Sequence, residues 1–288
     1  MNKKRNGFIG LTGFVSRRRG NSSSFLSRVL RFFNLNKRQR FIISVILLSL
    51  GLFFAENLLG KSGIFLSFFL SILTAVLLLL SNYEDIRDNF SWSLFILPFF
   101  YSLSFGLFDF LVPARFMTRI IITSLYAIGL YSLFLSHNIF TVASIRTIGL
   151  LSSARTVSFV LALVSYFFLS RVIGSFHWSV FISAPLLFIF SFFLSLHCLW
   201  TYTLEKVSKA ELLWAFVLSF CLLEAFLILW FWPSSPTVVA IFLTGFFYTI
   251  IGLSHVWMDK RLFRGVLWEY IWVSVLVFCI LILFTSWS

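Results

Sequence analysis

Leu212–Trp232 reads LLWAFVLSFCLLEAFLILWFW, in which Glu224 is the sole acidic or basic side chain. As a helix rising 1.5 Å per residue the run extends about 30 Å, which is the thickness of a bilayer's hydrocarbon core. It is read as a membrane-spanning helix. Eight further runs qualify on the same measure: Phe41–Leu59, Gly63–Leu80, Trp92–Val112, Ile120–Phe140, Thr156–Ile173, Trp178–Thr203, Thr237–Met258 and Val266–Phe284. The expected fold class is therefore all-α, a polytopic integral membrane bundle of about nine transmembrane helices.

Composition points the same way. Charged residues make up 11% of the 288-residue chain and mean hydropathy is +0.98, whereas about a quarter of the residues in a soluble domain are charged. The 40 phenylalanines suit lipid-facing helices, where Phe is one more apolar side chain. Cys198, Cys221 and Cys279 sit in apolar runs without close spacing, so they read as small apolar fillers and not as a disulfide or metal framework.

The net charge of +13 raises the question of nucleic acid, but eleven of the 23 basic residues fall in the first forty positions, which hold no Asp or Glu. Basicity belongs to the tail. Residues 1–40 are thus read as a basic cytoplasmic tail, with anionic lipid as its expected partner rather than nucleic acid. Within it Phe25–Leu35 gathers Phe25, Leu26, Val29, Leu30, Phe32 and Phe33 on one side and Arg28 and Arg31 on the other. That pattern predicts an interfacial amphipathic helix over 25–35, with Ser24 as its N-cap. Residues 41–288 form the transmembrane domain. The apolar stretch Phe8–Val15 is short and holds two glycines, so a signal peptide is not expected.

Cytoplasmic connections are enriched in Lys and Arg. With the N-terminus inside, the inner segments carry 19 basic residues and the outer ones four, namely Lys61, Arg115, Arg119 and Arg171. Nine spans then place the C-terminus outside. Arg155 and Arg171, 16 residues or about 24 Å apart, bracket one short span. Arg146 precedes a segment, TIGLLSSA, too apolar for a solvated loop. Gly149, Ser152, Ser153 and Ala154 are expected to let it lie close against other helices. The surrounding sequence NIFTVASIRTIGLLSSARTVSFVLALVSYFFL, residues 138–169, resembles a segment of uncharacterised multi-pass membrane proteins of bacteria with small genomes. That resemblance implies a bacterial inner membrane and nothing about chemistry.

Motifs for catalysis are absent. LLGKSG at 58–63 has the GKS of a phosphate loop, but the required upstream glycine position is Ala55. No HExxH, Cys/His cluster, paired carboxylates or nucleophile elbow occurs, so no catalytic residue, metal site or cofactor is expected. Attention falls instead on charges inside spans, since an Asp or Lys at a helix centre costs at least about 2.5–3.5 kcal/mol. Glu56, Asp109 and Glu269 lie near helix ends. Glu224 sits near a midpoint, and it is read either as a protonated acid hydrogen-bonded to a neighbouring helix or as part of a polar path. His197, His255, Glu269, Arg155 and Arg146 fall near the inner ends of their segments, as does His137, and form a candidate inner-leaflet polar cluster.

Three functions are compatible with these features. The first is a non-enzymatic membrane or envelope component with structural or assembly duties, because the connections are too short for a catalytic domain, and it would have a membrane-protein partner. The second is a proton- or cation-linked transporter using Glu224. The third is a membrane enzyme acting on lipid-linked substrates at the inner leaflet.

Overall fold

In hydrocarbon a backbone N–H or C=O has no partner but the backbone itself, so unbroken runs of Leu, Ile, Val and Phe resolve into helices. The computed structural model describes residues 36–59, 63–83, 91–112, 116–143, 149–204, 207–258, 260 and 263–285. Among them are nine α-helices: α1 Lys37–Leu59, α2 Gly63–Ser81, α3 Ile96–Asp109, α4 Phe116–Ala143, α5 Leu151–Ser175, α6 Val180–Thr203, α7 Lys209–Trp230, α8 Pro236–Met258 and α9 Arg264–Leu283. A 3₁₀ turn, Trp92–Phe95, leads into α3. The helices α2 to α9, α3 taken with that turn, are long and apolar enough to cross a membrane. The remaining helix, α1, spans 23 residues and opens on Lys37, Arg38 and Arg40. The chain is a polytopic helical membrane protein. The amphipathic segment 25–35 lies outside the described residues.

The centre of the bundle is built from α3 and α5. Against α5 pack α3, α4, α6 and α8, and against α3 also α2, α4 and α6; α1 leans on α2 and α4, α7 on α6 and α8, and α9 on α8. Their shared core holds Leu97, Tyr101, Phe105, Tyr126, Leu133, Tyr166, Leu194 and Phe247. Aromatic rings do much of this packing: Tyr166 stacks on Phe247 with centroids 4.4 Å apart, and Phe108 on Phe168 at 4.2 Å. The phenylalanine excess is thus divided between a lipid-facing surface, where Phe65 and Phe181 stand exposed, and an interior that uses offset and edge contacts. The cysteines divide likewise, with Cys198 buried and Cys279 exposed.

Small residues set the closest helix crossings, though not where the sequence pointed. Gly149, Ser152 and Ser153 are exposed, and of that quartet Ala154 is buried; a Cβ on Gly149 would meet nothing within 4 Å. Only one face of α5's first turn reaches its neighbours, so Ser152 and Ser153 point outward, and Gly149 stands exposed in the turn before the helix. Close approach occurs instead at Gly106, where a Cβ would come within 2.7 Å of Ser67 on α2, and at Gly129, where it would overlap the Tyr101 hydroxyl of α3. On α8, Gly245 and Gly252 leave notches filled by Val277 and Tyr270 of α9.

Candidate functional site

Because successive helices alternate in direction, the C-terminal ends of α4, α6 and α8 meet the start of α3 and the N-terminal turns of α5 at one end of the bundle. Polar side chains from all of these elements form a layer there. At its centre is His197 of α6, fully buried. Its Nδ1 lies 2.9 Å from the backbone carbonyl of Ser93, and its Nε2 lies 3.1 Å from the Ser158 hydroxyl of α5. A carbonyl accepts and cannot donate, so these partners assign the hydrogen to Nδ1 and make Nε2 the acceptor of the Ser158 O–H. The ring stacks on His137 of α4, with centroids 5.5 Å apart and planes 7° from parallel. His137 in turn sets its Nδ1 2.9 Å from the Leu133 carbonyl, while its Nε2 is buried without a hydrogen-bond partner among the described residues.

The neighbouring turn of α6 is held from two sides. Arg155, partly buried on α5, donates from Nε to the Thr201 carbonyl at 2.9 Å and from a terminal nitrogen to the Tyr202 carbonyl at 2.8 Å. These carbonyls belong to the last turn of α6, which lacks acceptor-satisfying amides of its own, and Leu204 closes the helix in the left-handed region at φ 53°. The guanidinium also lies 4.8 Å from the Tyr202 ring centroid, a cation–π contact. On the other side His255 of α8 packs its ring 3.9 Å from that of Tyr202 and places Nε2 3.1 Å from the Cys198 carbonyl.

Three of the five expected cluster residues, His197, His255 and Arg155, therefore come together. Glu269 is exposed on α9, and among the described residues no hydrogen bond or ion pair ties it to the layer. Arg146 lies outside the described residues. Arg155 is also more than a marker of a span's end, because it turns inward to finish another helix. Sequence reading missed the contributions of Ser93, Ser158 and Tyr202. Ser158 had a signal, being three residues after Arg155 and so on the same face of α5; Ser93 had none.

Chemically, His197, His255 and Arg155 spend their polar groups on fastening helices, whereas His137 bonds only within α4 and leaves its Nε2 without a hydrogen-bond partner among the described residues. A general acid or base needs a free nitrogen or oxygen within reach of a substrate proton. Both nitrogens of His197 are engaged, His255 faces a backbone carbonyl, and Arg155 is committed to α6. Among the described residues no three His, Cys, Asp or Glu side chains gather as a metal site. At this end a cavity of about 520 Å³ is lined by Thr203, Ser208, Glu211, Trp214, Trp257 and Lys260. Two further cavities, between α8 and α9 and among α3, α4 and α5, are almost wholly apolar in lining. None of the three is lined by a buried histidine of the layer or by Glu224.

Glu224 itself is exposed on α7. Ala215, Leu218, Leu222, Phe226 and Leu229 make the helix's buried stripe; at 100° per residue Glu224 lies about 160° from Leu222. The expected hydrogen bond to a facing helix of the same chain does not form among the described residues, because this apolar stripe fixes the rotation of α7 and turns the carboxyl outward. No curated protein and no solved structure matches the chain. The family model described as Protein of unknown function (DUF5656) matches residues 42–284, the helical body just described, and the chain belongs to that family.

Proposed function

We propose that this chain is a non-enzymatic component of a bacterial inner membrane, with a structural or assembly role, its N-terminus cytoplasmic and its basic tail held to anionic lipid. The observation that carries this reading is the use made of the polar layer: the side chains best equipped for chemistry, His197, His255 and Arg155, are occupied in joining α5, α6 and α8. A transporter using Glu224 has less to stand on, since that carboxyl faces away from the chain's own bundle. An enzyme of lipid-linked substrates retains one supporting feature, the roughly 520 Å³ cavity with Glu211, Lys260 and two tryptophans at its wall.

Purification from native membranes, with identification of co-purifying proteins and lipids, tests the proposal together with two variants. A structural role expects a protein partner in fixed stoichiometry. It also expects Arg155→Met and Ser158→Ala to lose in-cell function only as far as they lose thermal stability, about 1–3 kcal/mol for each hydrogen-bonded group left unpaired. An Arg155 variant with unchanged stability and abolished function would overturn it, as would turnover of a lipid-linked substrate that stops with Lys260→Ala.

A further inference from the structure

The cavity of about 520 Å³ at the polar end of the bundle is walled by the last turn of α6, the first turns of α7 and the end of α8, and two of its side chains, Glu211 and Lys260, are of opposite charge type yet do not meet. Glu211 is 5% exposed. Its Oε2 accepts from the Ser208 amide, while among the described residues Oε1 accepts from nothing. A buried oxygen left open in this way calls for a donor from outside the chain. Lys260, whose amide donates to the Trp257 carbonyl at 3.0 Å with φ at 54°, is exposed, and its side chain makes no hydrogen bond or ion pair among the described residues. The third feature of the wall is aromatic. Trp214 of α7 and Trp257 of α8 set their ring centroids 5.1 Å apart with planes 54° from parallel, and two indole faces at an angle are the elements of a cage for an organic cation.

We propose that this cavity binds the headgroup of a phospholipid carrying a primary ammonium, of the phosphatidylethanolamine type, with the ammonium against the two indoles and donating to Glu211, and the phosphodiester on Lys260. The wall asks for a ligand with two poles. An acceptor oxygen beside aromatic faces favours a cation, and an unpaired lysine favours an anion. A simple anion would meet Glu211 and a simple cation would meet Lys260, whereas a zwitterion answers both. The carboxyl is fixed in advance by its bond to the Ser208 amide, so it loses no side-chain freedom when the ligand arrives. Position selects a lipid over a soluble molecule. The cavity lies at the ends of membrane-spanning helices, the level at which tryptophans gather at the headgroups, and Val217, three residues beyond Trp214 and so beside it on α7, is 43% exposed. Acyl chains attached to the headgroup thus have an apolar surface to follow. The volume also falls within the range of about 300–1,000 Å³ usual for small-molecule sites. The inference goes beyond the structural role proposed above and does not depend on it, since a lipid held without turnover would suit a transporter equally.

The test is native mass spectrometry of the full chain, delipidated in detergent and titrated in turn with phosphatidylethanolamine, phosphatidylglycerol and water-soluble glycerophosphoethanolamine. The wild-type chain is expected to take up one phosphatidylethanolamine about tenfold more tightly than phosphatidylglycerol, which has the phosphodiester without the ammonium. Glu211→Gln keeps the capping bonds and Trp257→Leu keeps an apolar wall, so both should fold, as melting curves in detergent will show, and both should erase that preference. Lys260→Ala is expected to weaken the two lipids alike by about tenfold. Glycerophosphoethanolamine, lacking acyl chains, is expected to bind far more weakly than the lipid. Equal affinity of the wild type for the two lipids would overturn the proposal, as would a preference that survives both Glu211→Gln and Trp257→Leu. Soluble headgroup bound as tightly as lipid would overturn the assignment to a lipid.

Discussion

At Gly129 a missing methyl group lets α3 and α4 meet. The Tyr101 ring is buried against the bare Cα, its hydroxyl 3.3 Å from the carbonyls of Leu125 and Tyr126. A Cβ on Gly129 would overlap that hydroxyl, fall within 2.8 Å of the ring carbon that bears it and press on Leu161 at 3.2 Å. Tyr101 has little room to retreat, since it lies 4.7 Å from the Phe105 ring and 5.7 Å from that of Tyr126. Gly129→Ala is therefore expected to destabilise the protein by about 1–3 kcal/mol through overpacking, measured as thermal unfolding in detergent. In combination with Tyr101→Phe, which removes the obstructing oxygen, the loss should be smaller than the sum of the two single losses. Strict additivity would mean that the helices adjust elsewhere.

At the scale of the element, α7 starts on a reciprocal cap. Ser208 Oγ accepts from the Glu211 amide at 3.2 Å, and the Glu211 carboxylate accepts from the Ser208 amide at 3.1 Å. Two of the four free amides at the helix start are thereby satisfied, and the carboxylate sits at the positive end of the helix dipole. Ser208→Ala is expected to cost about 0.5–2 kcal/mol; an unchanged melting curve would show that water caps the helix equally well. Element by element, each of the nine apolar runs in the sequence falls on one of the nine described helices, of which eight, α2 to α9, are long and apolar enough to cross a membrane and so must close their own backbone hydrogen bonds there. Their ends were less legible. The described helix α1 starts at Lys37 rather than Phe41, α4 at Phe116 rather than Ile120, and α5 at Leu151 rather than Thr156, since a helix entering the headgroup region continues through basic and small residues that resemble a loop. The candidate site was legible only in part: alternating direction brings His197, His255 and Arg155 to one end, but hydropathy contains no term for rotation. The outward turn of Glu224 and the exposure of Gly149 were accordingly hidden.

For the molecule as a whole, the distribution of basic residues expects residues 1–40 and the connection at 204–208 on the cytoplasmic side and the C-terminus on the other. Reporter fusions after Ser288 and within 204–208 check this, and cytoplasmic signal from both would reverse the assignment of the C-terminus. The layered packing also has a meaning in time. Synthesis runs from the first residue to the last, so α9 emerges from the ribosome after every surface it leans on has been made. Val277 and Leu281 are its buried residues, and the notches at Gly245 and Gly252 that receive it are carved in α8. By then every helix that packs on α3 and α5 has also been made, so α9 comes as a cover to a wall whose parts already exist.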